Sequence, residues 1–405
     1  YQLEDKVSKN ELYPQISDLW NTSTSQPKDC DPLFKKWKAD GQLTEALILQ
    51  RIAKAANGGQ YSIISYLRSL LSEDKKYLAD LWKQTRKSPS TVKRLKAFKG
   101  DYPEIEAEII SYGLGRLIWK NKATSLKTWE RAQKIFTFTD KQQAHVANKF
   151  AVSLAIAKHE DAEYWLIKSE RLAQDSEVLR WHLTILLKSQ NWASIINLIE
   201  KAAPTLTSAH EYQYWLARSY AELGNQYKAN ELFEQLASER HYYGFLASAR
   251  LGQSFNFQDN PLVIEKDAID RIEQLPSAKR AFELKELERF HEARLEWRFV
   301  QQQLNDQERL ASAVIAGQWG WHDQAIFTFT NTGYLNDVNR RFPMAYADIL
   351  TKAALRNQIE PEWAFAIARR ESSFMSDAVS SASAFGLMQV LPSTARYLEK
   401  RRVSD

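Results

Sequence analysis

Residues 211–237 read EYQYWLARSYAELGNQYKANELFEQLA. Apolar and small residues recur here at helical period, and Ala217, Tyr220, Gly224, Ala229 and Phe233 fall at spacings of 3, 4, 5 and 4. That skeleton approximates a tetratricopeptide helix pair, in which glycine lets the chain turn and small residues let two antiparallel helices approach closely. Looser versions of the pattern occupy residues 162–204 and 285–329. Thirteen glycines and 11 prolines in 405 residues amount to roughly half the usual share of each, leaving little room for a many-stranded fold. The expectation is an all-α chain: a superhelical array of antiparallel helix pairs, forming an arc or ring.

The apolar share of 44% and charged share of 26% exclude an intrinsically disordered chain. Lys and Arg number 55 against 50 Asp and Glu, a formal charge of +5 with no basic tail, so nothing points to nucleic acid. The apolar run FAVSLAIA lies between Lys149 and Lys158 and is far shorter than the ~18 residues that span a bilayer. No membrane span is expected. The single cysteine, Cys30, makes no intrachain disulfide. The 13 tryptophans lie mostly in helical windows, where packing between helices is their default role and sugar stacking the alternative. The most loop-like long stretch, around Asn256 to Asp267, and RRFP at Arg340–Pro343 divide the chain into a helical body (1–260), a helical linker domain (261–341) and a terminal segment (342–405).

The terminal segment carries the chemistry. Pro361 suits a first helical position, and a helix should run to about Phe374. Counting the period puts Glu371 with Ala364, Ile367, Ala368 and Phe374 on one buried face. A buried carboxylate is costly unless paired or protonated. Either it makes an ion pair or cap contact, which periodicity alone favours, or apolar surroundings raise its pKa and it serves as a general acid. The loop that follows, SSASAFGLMQVLPSTA (380–395), is rich in small residues, with Gly386 and Gln389 suited to lying against a ligand or to an ordinary turn. Asp377 is expected to be a solvated loop residue.

ARRESSF (368–374) followed by SSASAFGLMQVLPSTA closely resembles the catalytic signature of the soluble lytic murein transglycosylases. RRFPMAYADI and SQPKDCDPLF also look like that family. The resemblance implies a superhelical domain, a linker domain and a lysozyme-like catalytic domain. Glu371 would be the catalytic acid, with Ser380, Gly386, Met388 and Gln389 as substrate-binding residues. Two departures lie in the loop, where Ser383 stands at a common glycine and Leu391 at a frequent methionine. The chain also stops at Asp405, before the family's downstream tyrosine, so the resemblance implies a fragment truncated in its catalytic domain and short of some N-terminal helices. A further family cysteine could pair with Cys30.

The family's activity is cleavage of the β-1,4 bond between N-acetylmuramic acid and N-acetylglucosamine, leaving a 1,6-anhydromuramyl end. It needs neither cofactor nor metal, and the seven histidines here lack ligand spacing. Peptidoglycan strands and cell-wall synthesis or remodelling proteins would be its partners. The location implied is the periplasm, with an export leader removed. The alternatives are a lysozyme-like hydrolase and a catalytically silent helical scaffold binding glycan or protein. Truncation should leave Glu371 hydrated and the apolar face around Phe374 exposed, so the last sixty residues should be loose.

Overall fold

The computed structural model describes residues 8–402. Among them the chain is all-α, from helix Lys9–Trp20 to helix Pro392–Arg402. The sole extended pairings are isolated bridges from Phe385 to Val379 and Val390. Two compact units divide the chain: Tyr1–Leu236 with Leu246–Gly252, and Ala237–Phe245 with Gln253–Asp405.

The first unit is a succession of helix pairs. Its clearest hairpin joins His210–Glu222 to Gln226–Ala237 around Gly224, whose φ of +81° suits glycine and strains other residues. The turn closes as a Schellman motif: Asn225 N–H donates to Tyr220 O at 2.9 Å and Gly224 N–H to Ala221 O at 3.0 Å. Ala217, Tyr220, Ala229 and Phe233 are all buried in this hairpin, as their spacing predicts. Upstream, a continuous core gathers Trp20, Trp37, Trp82, Trp129 and Phe150. Each such side chain contributes about 1.5–3 kcal/mol by leaving water. Tryptophan is therefore mainly core, with Trp119 and Trp363 as exposed exceptions. Cys30 is a free thiol.

The carboxylate that this unit does bury is Glu106, on helix Pro103–Leu117. Tyr77 Oη donates to it at 2.6 Å and Gly100 N–H at 2.8 Å, which satisfies the charge within the protein.

In the second unit, helices Lys266–Glu273, Pro276–Glu286, Phe290–Gln302, Asp306–Gln318 and His322–Asn331 surround Trp297 and Trp321. A capping box between Asn305 and Glu308 starts the fourth of these. The irregular stretch before them, residues 253–265, is fastened down rather than loose. Leu262 N–H donates to the buried Asp337 carboxylate at 3.0 Å, and Tyr334 Oη donates to Asn260 O at 2.9 Å. The segment that follows holds helices Ala347–Arg356, Pro361–Ser372 and Pro392–Arg402. RRFP does not open a helix, because Arg340 and Arg341 end the short helix Val338–Arg341 and the next begins at Ala347. Its core packs Ile326 of the preceding helices against Leu350, Phe365, Ala368 and Phe374, with Leu387 and Met388 alongside.

Candidate active site

Helix Pro361–Ser372 has proline at its first position and ends two residues before the predicted stop. Ser373 (φ +53°) and Phe374 (φ +66°) are both left-handed, an arrangement that costs a non-glycine residue about 1–2 kcal/mol. Three anchors hold it. Arg369 Nη1 donates to Ser373 Oγ at 3.2 Å, its Nε donates to Arg341 O at 2.8 Å, and Phe374 is buried at 3% exposure.

The burial pattern of the helix changes the face assigned to Glu371. The buried stripe is Ala364, Phe365, Ala368 and Ser372, and Glu371 is solvent-exposed on the adjacent face with Ile367. The expectation of a buried Glu371 is thus corrected: the buried stripe is rotated toward Phe365 and Ser372, which leaves Ile367 and Glu371 in solvent. The expected exposure of Phe374 is corrected as well. Two left-handed residues turn its ring back into the core, where it meets His322 edge-on with centroids 6.4 Å apart. That core pushes the His322 imidazole pKa down by desolvation.

The loop lies against the same helix. Ser372 Oγ donates to Leu387 O at 3.0 Å, joining the residue after Glu371 to the segment Gly386–Gln389. Ser380 closes the start of the loop: its Oγ accepts from Ala384 N–H at 3.0 Å and its N–H donates to Ala384 O at 3.0 Å. Ser383 has φ +60°, the conformation that glycine takes without strain. Gly386 has φ +72°, and its N–H donates to Ala378 O at 2.9 Å. Gln389 Nε2 donates to the same Ala378 oxygen at 3.2 Å and to Gly386 O at 3.0 Å. Met388 is half-buried against the core. Of the predicted substrate-binding residues, then, Ser380, Gly386 and Gln389 brace the loop by hydrogen bonds and Met388 by packing.

Asp377 is not a merely solvated loop residue. Its two carboxylate oxygens accept from Arg294 Nη1 at 2.7 Å and Nη2 at 2.6 Å, a bidentate pair that holds its pKa below the ordinary carboxylate range. Arg294 Nε also donates to Asp323 at 3.3 Å, and Asp323 is 3% exposed. This cluster joins residues 83 positions apart and had no signal in the sequence. It borders a cavity of about 260 Å³ that His322, Tyr346 and Met375 also line. Larger concavities, about 400 and 800 Å³, lie in the first unit and contain none of the predicted site residues. No group of His, Cys, Asp and Glu among the described residues could hold a metal ion.

Comparison with known proteins agrees with this arrangement. The family model for the soluble lytic murein transglycosylase L domain matches residues 271–338, and that for the transglycosylase SLT domain matches residues 348–405. Those two stretches thus match the L and SLT domains of the soluble lytic murein transglycosylases. The family's enzyme from Escherichia coli K12 is 25% identical over 394 residues, covering 96% of this chain and 60% of its own. A putative member from Haemophilus influenzae is 30% identical over 210 residues, 51% of this chain and 33% of its own. The solved structure of an inactive mutant of the lytic transglycosylase Slt from Pseudomonas aeruginosa superposes with a TM-score of 0.87 at 28% identity, over 99% of this chain and 65% of that one. A 70-kDa soluble lytic transglycosylase from Escherichia coli gives 0.80 at 22% identity, over 97% and 63%, and shows the shared all-α fold. The chain therefore spans about 60% of the length of the curated Escherichia coli relative. Among the described residues, no helix is long and apolar enough to cross a membrane.

Proposed function

We propose that this chain carries the catalytic acid and part of the substrate loop of a peptidoglycan lytic transglycosylase that acts in the periplasm, where its polymer lies. The observation that carries the reading is the pairing of an exposed Glu371 with a loop tied to the very next residue through Ser372 Oγ and Leu387 O. Glu371 gives its proton to the oxygen between N-acetylmuramic acid and N-acetylglucosamine as the bond from the muramyl anomeric carbon breaks. The muramyl acetamido oxygen stabilises the cationic centre, as in substrate-assisted glycosidases. The Glu371 carboxylate then takes the proton of the 6-hydroxyl as that oxygen attacks the anomeric carbon. The new bond closes a 1,6-anhydro ring, and Glu371 is again protonated.

Two observations support this scheme over two-carboxylate hydrolysis. Asp377, the acidic residue nearest in sequence, is committed to Arg294 and unavailable as a nucleophile. Within the loop, the Gln389 amide oxygen and the Ser380 hydroxyl proton take no partner among the described residues, which leaves them for polar groups of a sugar. The Pseudomonas aeruginosa relative, solved as an inactive mutant, carries a glutamate-to-glutamine exchange. The corresponding test here is Glu371→Gln on purified cell-wall sacculi, with mass spectrometry of released fragments. Products one water lighter than hydrolytic ones, lost in the variant while the variant still sediments with sacculi, support the reading. Hydrolytic products, or undiminished release by Glu371→Gln, overturn it. A related 70-kDa transglycosylase is known in complex with bulgecin A, and competition by that compound provides a second probe.

A further inference from the structure

Arg294 belongs to helix Phe290–Gln302 of the linker region, far in sequence from the loop that holds Ser380, Gly386 and Gln389. Its side chain is 19% exposed, and its guanidinium makes three hydrogen bonds to carboxylates. On one side stands Asp323 of helix His322–Asn331, itself buried and further bonded by Gln324 Nε2 at 2.8 Å. On the other stands Asp377, held by both terminal nitrogens. Asp377 is followed directly by Ala378. The carbonyl oxygen of Ala378 accepts from both Gly386 N–H and Gln389 Nε2, so it is the point on which the loop folds back. The load path is continuous: buried Asp323, Arg294, Asp377, the Ala378 carbonyl, then Gly386 and Gln389.

We propose that Arg294 is a positioning residue, supplied by the linker region, that fixes the geometry of the substrate loop through Asp377. This rests on the reading of that loop as the sugar-binding element. Its geometry needs an outside anchor. Ser383 and Gln389 are non-glycine residues at positive φ, as are Ser373 and Phe374 before Asp377. A segment with that many disfavoured torsions relaxes unless its surroundings over-determine it. Arginine suits the task, since its planar fork engages both oxygens of Asp377 while Nε faces Asp323; a lysine, with one point charge, could neutralise Asp323 yet could not hold both. The linker region thereby acts on the chemistry and does more than space two domains.

The test compares Asp377→Asn and Arg294→Lys with the parent by hydrogen–deuterium exchange and by sacculus digestion. Asp377→Asn leaves Arg294 paired with Asp323, so the buried charge stays compensated and the unit folds. In both variants the amides of Gly386 and Ala384 should exchange at least about tenfold faster, while those of helices Phe290–Gln302 and Ala347–Arg356 keep their parental rates. The double variant should add nothing, because both changes cut the same link. Turnover on sacculi should fall about tenfold or more with sedimentation on sacculi unchanged, since misplacement of a positioning element penalises chemistry more than adsorption. Parental exchange at Gly386 in Asp377→Asn, or equal acceleration throughout the unit, would overturn the proposal. If the parent itself releases no fragments, the functional reading fails while the exchange data still decide the anchoring role.

Discussion

The helical body and the segment from Ala347 to Arg402 are built from the same kind of amphipathic helix, yet they treat their apolar residues differently. The body packs many of its large side chains away from water, with Phe150 at 0% exposure 4.8 Å from Trp165, although Trp119, Ile135 and Tyr227 stay exposed. The terminal segment leaves Ile349, Leu355, Trp363, Ile367 and Phe385 open to solvent. Torsions divide less sharply: the body's turns use Gly224 but also Lys158 and Gln190 at positive φ, while the loop after Glu371 sets Ser383 and Gln389 there beside Gly386. The body's composition answers to packing. In the segment, four non-glycine residues at positive φ fall within 17 positions (Ser373, Phe374, Ser383, Gln389), the kind of clustering found where a ligand is engaged, which agrees with the role proposed for this loop.

The largest effect that could break this contrast concerns core truncation. Phe150→Ala should cost about 3–5 kcal/mol of the first unit's stability in chemical denaturation, the usual range for emptying a buried aromatic site. Trp363→Ser, at a side chain 69% exposed, should stay within about 0.5 kcal/mol of the parent while reducing fluorescence of a bound hydrophobic dye. Equal costs at the two sites would dissolve the distinction.

A finer comparison exchanges the turn residues. Gly224→Ala should destabilise the body by about 1 kcal/mol, since alanine resists the left-handed conformation. Ser383→Gly should go the other way, by about 0.5–1 kcal/mol at most after the added freedom of the unfolded chain is subtracted. Thermal unfolding reads both, and a loss of stability on Ser383→Gly would show that serine's hydroxyl matters there more than its torsion.

The smallest expected effects are those of pH. Burial depresses the pKa of His145 in the body and of His322 in the second unit. The unfolded chain therefore takes up these protons first, and stability falls as pH drops below about 6.5 toward the lower folded values. His322→Gln should flatten that slope for the second unit alone. Asp377 has a depressed carboxyl pKa, so its contribution is intact above about 3.9 and fades as pH falls through its lower folded value. Loop amide exchange should accelerate in that acid range before the helix cores respond.

Much of this was legible in the sequence. Helical period and scarce glycine gave an all-α chain, and the spacing around Gly224 gave a hairpin with the correct buried residues. The loop motif led to the family. Period alone places the apolar face of this helix on Ile367 and Glu371, whereas packing buries the neighbouring stripe through Phe365 and Ser372. A stronger version of the same signal lies at Glu106, three, four and seven residues from Ile109, Ile110 and Gly113, and that carboxylate is buried. The Arg294–Asp377 pair could not be read at all, because it joins residues 83 positions apart that meet only in the folded unit.

One atom in that link has a peculiar relation to heredity. The Ala378 oxygen on which Gly386 and Gln389 converge belongs to the main chain, and every amino acid at that position would still supply it. No substitution can delete the junction, so selection acts only on its side-chain neighbours. Among descendants of this sequence, drift at position 378 should therefore be nearly free within the limits of size. Positions 294 and 377 should instead be inherited as a pair, kept together or lost together.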